Sequence, residues 1–217
     1  GQVWIGGWAL VRFFDGERWH PIESDALGEY NVWAITQDES GAMWFGTEVN
    51  IIRYNPDDGS TQVFTTSDGL PEGETYQLSS APDGLIVANV GGKLVVFDGT
   101  HWRLQFPDRQ IDQITTAPSG EVWVAGGDRF FIYDGKTWNT IDAPELWVAV
   151  LSVGPDGIVW AGSGDGLARF DPKGQAWRRL KPGDGALPTS VRALLVAHDG
   201  ALWVATEPAG LGRYVSP

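Results

Sequence analysis

Gly41-Ala42-Met43-Trp44-Phe45-Gly46 reads as a turn glycine followed by a short apolar strand carrying tryptophan, and the chain says it again and again. Clear copies are Gly1-Gln2-Val3-Trp4-Ile5-Gly6, Gly120-Glu121-Val122-Trp123-Val124-Ala125, Gly157-Ile158-Val159-Trp160-Ala161-Gly162 and Gly200-Ala201-Leu202-Trp203-Val204-Ala205. Gly84-Leu85-Ile86-Val87-Ala88 is a sixth, with Val in the Trp position. The leading glycines lie 40, 43, 36, 37 and 43 residues apart, so a unit near 40 residues recurs six times, starting near 1, 41, 84, 120, 157 and 200.

Outward from that strand, the rest of each unit repeats too. A second strand ends in an aromatic residue and Asp or Asn, as in Val11-Arg12-Phe13-Phe14-Asp15, Ile52-Arg53-Tyr54-Asn55, Val95-Val96-Phe97-Asp98 and Phe131-Ile132-Tyr133-Asp134. Tight turns follow at Asp15-Gly16, Asp58-Gly59, Asp98-Gly99 and Asp134-Gly135, where glycine takes a positive φ at no steric cost. Trp19, Trp102, Trp138 and Trp177 each stand three residues past a turn glycine and open a further strand. A last strand runs into turns such as Pro118-Ser119-Gly120 and Pro155-Asp156-Gly157. No stretch carries a sustained period of 3.6.

Four short antiparallel strands per unit of this length are the arithmetic of a propeller blade. The expected fold is all-β, a single β-propeller domain over residues 1–217, built of four-stranded antiparallel blades. With strands named a to d from the axis outward, the Trp strand is b. The chain then holds six b and six c strands but five a and five d, the first blade lacking strand a and the last lacking strand d. A six-bladed ring with two three-stranded blades is the first reading; a five-bladed ring and a segment of a longer parent, such as a seven-bladed one, stay open. Uncovered edge strands invite self-association.

Composition narrows the partners. Against 28 Asp+Glu stand 15 Lys+Arg, a formal charge of −13, and the positives are dispersed, their densest spot being Arg178-Arg179 with Lys181. Such a surface repels a phosphate backbone, so no nucleic acid is expected. No apolar run reaches 18 residues, so no direct membrane insertion is expected either. The absence of cysteine excludes disulfides, Cys-ligated zinc and a thiol nucleophile.

Asp184-Gly185-Ala186-Leu187-Pro188, Ser190-Val191-Arg192-Ala193-Leu194, Asp199-Gly200-Ala201-Leu202-Trp203-Val204-Ala205-Thr206 and Gly210-Leu211-Gly212-Arg213-Tyr214 together resemble the two-component regulator propeller repeat. The second unit is similar through Asp38, Gly41, Trp44, Gly46-Thr47, Arg53-Tyr54 and Asp68-Gly69-Leu70-Pro71. The resemblance implies a sensor-type propeller, extracytoplasmic or periplasmic and bacterial, often seven-bladed, that binds a ligand, commonly an oligosaccharide, and passes the signal to an output domain.

Few constellations carry chemistry. The three histidines, His20 and His101 assigned to outer strands and His198 to a turn, share no metal spacing. Asp57-Asp58-Gly59 and Gly164-Asp165-Gly166 lack the alternating carboxylates of a calcium loop. Ser163 has no strand-to-helix elbow, and Gly126-Gly127 lacks a phosphate-loop lysine. No metal and no cofactor are expected, and the protein reads as a non-enzyme.

Variation between repeats is the better signal. A ligand lacking the repeat's symmetry must meet each copy differently, whereas residues that hold a blade together recur. Eight residues before each b-strand glycine, on strand a, the copies read Trp33, Tyr76, Asp112, Ala149 and Arg192, between apolar neighbours. Loops on the same side add Glu74 and Trp147, and Trp8, Asp128 and Arg129. Aromatic platforms mixed with carboxylates and arginine suit a glycan or other polar small molecule. The alternatives are that Trp33 and Tyr76 plug the axis, that the chain is a protein-interaction scaffold or self-associating fragment, and that Asp112 and Glu74 serve a lyase or hydrolase.

Overall fold

The computed structural model describes residues 2–22, 24–143, 147–180, 190–207 and 210–214, and the chain falls into two compact units, Gly1–Arg109 and Gln110–Pro217. The boundary lies between repeats. Lys181 and Asp184 to Pro188 of the sequence motifs lie outside the described residues.

Unit 1 holds three antiparallel sheets. The first is β1 (Val3–Gly7), β2 (Leu10–Phe14) and β3 (Trp19–Pro21); the second is β4 (Val32–Gln37), β5 (Met43–Thr47), β6 (Ile51–Tyr54) and β7 (Thr61–Phe64). The third is β8 (Thr75–Ser80), β9 (Ile86–Val90), β10 (Lys93–Phe97) and β11 (Trp102–Gln105). Unit 2 holds β12 (Gln113–Thr116), β13 (Val122–Gly126), β14 (Arg129–Tyr133) and β15 (Trp138–Asp142) in its first sheet. Its second is β16 (Val150–Val153), β17 (Val159–Ser163), β18 (Gly166–Asp171) and β19 (Ala176–Leu180), and its third is β20 (Val191–Val196), β21 (Leu202–Thr206) and β22 (Gly210–Tyr214). Every strand pairs with its neighbours in sequence, so each sheet is a meander. The protein is thus an all-β propeller of six blades, numbered 1 to 6 in chain order, three in each unit. Among the described residues, blade 1 lacks strand a and blade 6 lacks strand d, as the repeat arithmetic required.

The turns form where the side chains dictate. In blades 1, 3 and 4 an aspartate after strand c accepts two successive amides: Asp15 from Glu17 and Arg18, Asp98 from Thr100 and His101, Asp134 from Lys136 and Thr137, all at 2.7–3.0 Å. The next residue is Gly16, Gly99 or Gly135, each with φ near 100°. His101 is part of this turn and not of strand d, its Nδ1 lying 3.0 Å from Thr100 Oγ1. His20 is on β3 as expected, but it is no loose surface group: Nε2 meets Asp15 Oδ2 at 2.6 Å and the ring stacks on Phe13.

Blades within a unit pack strand a against the preceding blade. β4 lies against β1 and β8 against β4 and β5; in unit 2, β16 lies against β12, and β20 against β16 and β17. This contact explains the glycine that closes the repeated Trp phrase. A Cβ built on Gly46 would stand 2.5 Å from Thr75 Cγ2 and 2.9 Å from the Thr75 carbonyl oxygen; on Gly6 it would stand 2.6 Å from Val32 Cγ1, and on Gly162 2.6 Å from Val191 Cγ1. Next to that seam the b-strand tryptophans fill the space between blades. Trp44 packs with Phe64, Phe97 and Trp102, and Trp123 with Phe170. Burying rings of this size supplies most of the apolar contact between sheets that expose both faces to a neighbour.

Candidate functional site

The variable position of strand a is a β-bulge. In β4 the register jumps from Val32 opposite Thr47 to Ala34 opposite Gly46, leaving Trp33 without a partner residue. The same jump skips Tyr76 in β8 and Arg192 in β20. A bulge puts two residues against one and re-aims the side chain, so these positions are released from the pleat that buries their neighbours. Val32, Thr75 and Val191 are buried, while Trp33 and Tyr76 are 49% and 52% exposed. In blades 4 and 5 the equivalent residues precede the strands: the Asp112 amide donates to Ala125 O and the Ala149 amide to Gly162 O.

In unit 1, Trp33 and Tyr76 come together, their ring centroids 6.5 Å apart and tilted by 52°. The Glu74 carboxylate beside it, by accepting from its hydroxyl, pushes the Tyr76 phenol above its ordinary value. Trp8, 84% exposed, forms an isolated antiparallel bridge with Asn31, two residues before Trp33. The Asn31 amide donates to Glu48 Oε2 at 2.7 Å. Behind this rim, Thr47 and Asn50 are buried and bonded, Thr47 Oγ1 donating to Asn50 Oδ1 at 2.8 Å. Trp8, Trp33, Tyr76 and Glu74, which the sequence singles out separately, therefore belong to one end of unit 1.

In unit 2 the candidates are mostly engaged by their own chain. Arg192 meets Glu207 Oε2 through Nη2 at 2.8 Å and Nε at 3.1 Å, a two-pronged ion pair. Asp112 Oδ2 accepts from the Gly127 amide at 3.0 Å, which holds the b–c turn where Gly127 has φ 63°. Arg129 Nη1 lies 3.5 Å from Asp142 Oδ1, and the Asp128 carbonyl accepts from the Ala143 amide. Trp147 is 64% exposed. The bulge escapes a sequence reading because it is one extra residue whose only trace is side-chain variability. Also unforeseen is a cavity of about 880 Å³ between blades 4 and 5, lined by residues of strands b, c and d that look in the sequence like ordinary filler. Among the described residues, no cluster of three or more His, Cys, Asp or Glu side chains suits a metal, and no helix is long and apolar enough to cross a membrane.

Residues 26–49, spanning the start of blade 2, match the family model for the two component regulator propeller. No curated protein matches the chain at the level of sequence. Among solved structures, a protein described as the extracellular domain of a hybrid two component system, BT3049 from B. thetaiotaomicron, aligns with TM-score 0.81 at 15% identity over 99% of this chain and 32% of its own. The chain thus spans about a third of that domain. YCF48 bound to D1 peptide aligns with TM-score 0.68 at 19% identity, covering 97% of this chain and 73% of that one. Catalytically inactive virginiamycin B lyase from Staphylococcus aureus, solved with quinupristin, aligns with TM-score 0.62 at 16% identity, covering 100% and 74%. At these identities the likeness is one of fold. Repeat and fold together identify the chain as an all-β propeller in which residues 26–49 match the two component regulator propeller repeat.

Proposed function

We propose that this chain is a non-enzymatic, sensor-type recognition propeller, and that the end of unit 1 carrying Trp33, Tyr76 and Trp8 takes a glycan or similar polar molecule with apolar faces. The observation that carries the reading is the bulge: it turns two adjacent aromatic rings out of the sheet and leaves them half exposed, where blade packing has no use for them. Glu74 beside Tyr76, and Asn31 in its bridge to Trp8, put polar groups next to the rings, where a sugar's hydroxyls can find partners. The likeness to the BT3049 extracellular domain supports a sensing role. A lyase or hydrolase is less well supported, since Glu74 is held by the Tyr76 hydroxyl and Asp112 by the Gly127 amide. The test is a glycan array on the full chain followed by calorimetry on Trp33→Ala and Tyr76→Ala. Each variant is expected to lose up to about tenfold in affinity, from the stacking contact alone. A glycan that both variants bind as tightly as wild type sinks the site, and an array without hits sinks the ligand class.

Exposed large apolar side chains in the two three-stranded blades favour a second reading, association with another copy through an uncovered sheet edge: Val3 and Ile5 in blade 1, Leu195 and Leu211 in blade 6. Sedimentation velocity across a dilution series checks it, and a monomer at every concentration rules it out.

A further inference from the structure

On the face of blade 6 that carries Trp203, Leu211 pairs across the strands with Ala205. The same place in the register is held by Val11 in blade 1, Ile51 in blade 2, Phe130 in blade 4 and Leu167 in blade 5. Those four are at most 4% exposed, whereas Leu211 is 69% exposed. Each of the four is covered by the blade that follows it: Val11 clusters with Val32 and Phe45, Ile51 with Ile86 and Val90, Phe130 with Val148 and Val159, and Leu167 with Val191 and Val204. Leu195, opposite Trp203 on strand a, is 62% exposed and stands where blades 2 to 5 have Thr36, Ser79, Thr115 and Ser152. Ser152 shows what this position meets in a covered blade, its Oγ accepting from the Val196 amide of blade 6 at 3.2 Å. Together with Ala193, Leu194, Trp203 and Ala205, the two leucines line a hollow of about 240 Å³ that has no polar side chain in its wall.

Blade 1 presents the opposite kind of face. The residues on either side of the b-strand tryptophan point at the preceding blade and are buried there: Met43 and Phe45 in blade 2, Val159 and Ala161 in blade 5, Leu202 and Val204 in blade 6. In blade 1 they are Val3 and Ile5, 55% and 40% exposed. Neither surface is barred from contact by its arginine. Arg213 lies 5.9 Å from the Trp203 ring centroid and 2.8 Å from Asp199, and Arg53 holds the same place over the buried Trp44, 5.8 Å from its centroid and 3.4 Å from Asp38. Arg12, opposite Ile5, has a methylene stem that can lie on an apolar surface while its guanidinium reaches water.

We propose that the Trp203 face of blade 6 in one copy of the chain docks on the Val3 and Ile5 face of blade 1 in a second copy, so that copies join head to tail. The proposal rests on the copy-association reading above and adds which surfaces meet. The chain itself names the occupant: four times within its units a tryptophan face is covered, and each time by the flanking b-strand residues of a following blade. Among the described residues, blade 1 carries flanking residues of this kind that are exposed. Two Trp203 faces set against each other have no counterpart in any of these seams. A contact between unlike faces leaves each copy one free face of each kind, so further copies add until a ring closes.

Sedimentation velocity on the full chain, over a dilution series, tests this with one variant on each face. Leu211→Glu and Ile5→Glu change exposed positions, and circular dichroism confirms that each still folds; Leu195→Glu and Val3→Glu take their places if either does not. Wild type is expected to form species larger than a dimer as concentration rises, and each variant alone is expected to stay monomeric. An equal mixture of the two variants keeps one intact pair of faces and is expected to form dimers and nothing larger. A wild type that is monomeric at every concentration overturns both this proposal and the association reading. A wild type that associates, with a mixture that stays monomeric or a single variant that associates as wild type does, overturns the head-to-tail contact and leaves association standing. A monomeric wild type whose Trp203 indole N–H resonance shifts with a synthetic peptide copying β20 would give the face to a lone strand, and overturns the proposal as well.

Discussion

Thr75→Val is expected to stabilise the protein. Thr75 opens β8 in blade 3 and is buried against Gly46 of blade 2, and its Oγ1 is buried with no hydrogen-bond partner. Its counterparts in contact with Gly6 and Gly162 are Val32 and Val191, so the site is built for two methyl groups. An unsatisfied buried hydroxyl costs about 1–3 kcal/mol, and a buried methyl in its place adds up to about 0.8 kcal/mol of transfer free energy. Part of this is offset by imperfect repacking, which leaves a gain of roughly 1–2 kcal/mol. With a urea slope of about 2–3 kcal/mol per molar, the midpoint should rise by roughly 0.5 M, and the melting temperature by about 3–6 °C for a chain of this size. The assay is equilibrium urea unfolding followed by tryptophan fluorescence and by circular dichroism, both variants at one protein concentration. An unchanged or lower midpoint at constant slope would refute the reasoning, because it would mean that the hydroxyl is satisfied in solution.

Two further outcomes follow from the same geometry. Gly46→Ala is expected to lose about 1–3 kcal/mol, since the new methyl must displace the Thr75 backbone, whereas Gly7→Ala, with nothing within 4 Å of the added Cβ, should stay within about 0.5 kcal/mol of wild type; equal urea midpoints for the two would contradict the seam described above. The Thr100 hydroxyl with the His101 and Thr100 amides holds Asp98 well below the ordinary aspartate value of 3.8, and the Arg18 amide with the His20 side chain does the same for Asp15. Because the folded state favours the charged form, this stabilisation is complete above the ordinary value and disappears as pH falls below it. Urea midpoints between pH 7 and pH 2 should therefore drop on the acid side, less steeply in Asp98→Asn; identical acid limbs would remove Asp98 from the account.

Most of the fold is written in local sequence, because a blade is held by short-range features. Asp15-Gly16, Asp98-Gly99 and Asp134-Gly135 carry their own turn chemistry within four residues, and the Trp phrase sets the b strand in every unit. Strand counts, and the lack among the described residues of strand a in blade 1 and strand d in blade 6, follow directly. His101 lies in the turn and not on strand d, because the Asp98 carboxylate captures its amide one residue before the strand begins.

The candidate site was legible as a list and not as an arrangement. Variation between copies points to Trp33, Tyr76, Asp112 and Arg192, but one letter per copy says nothing about whether a side chain is free. Pairing across strands decides that: the bulge releases Trp33 and Tyr76, Glu207 occupies Arg192, and the Gly127 amide occupies Asp112. The same holds for Trp123. Sequence by itself determined that blade 4 has tryptophan without the Asp and Arg of blade 2. That their loss leaves a buried indole N–H without a partner among the described residues was decided by the packing of blade 5 against blade 4, since only a neighbouring sheet can exclude water from that atom.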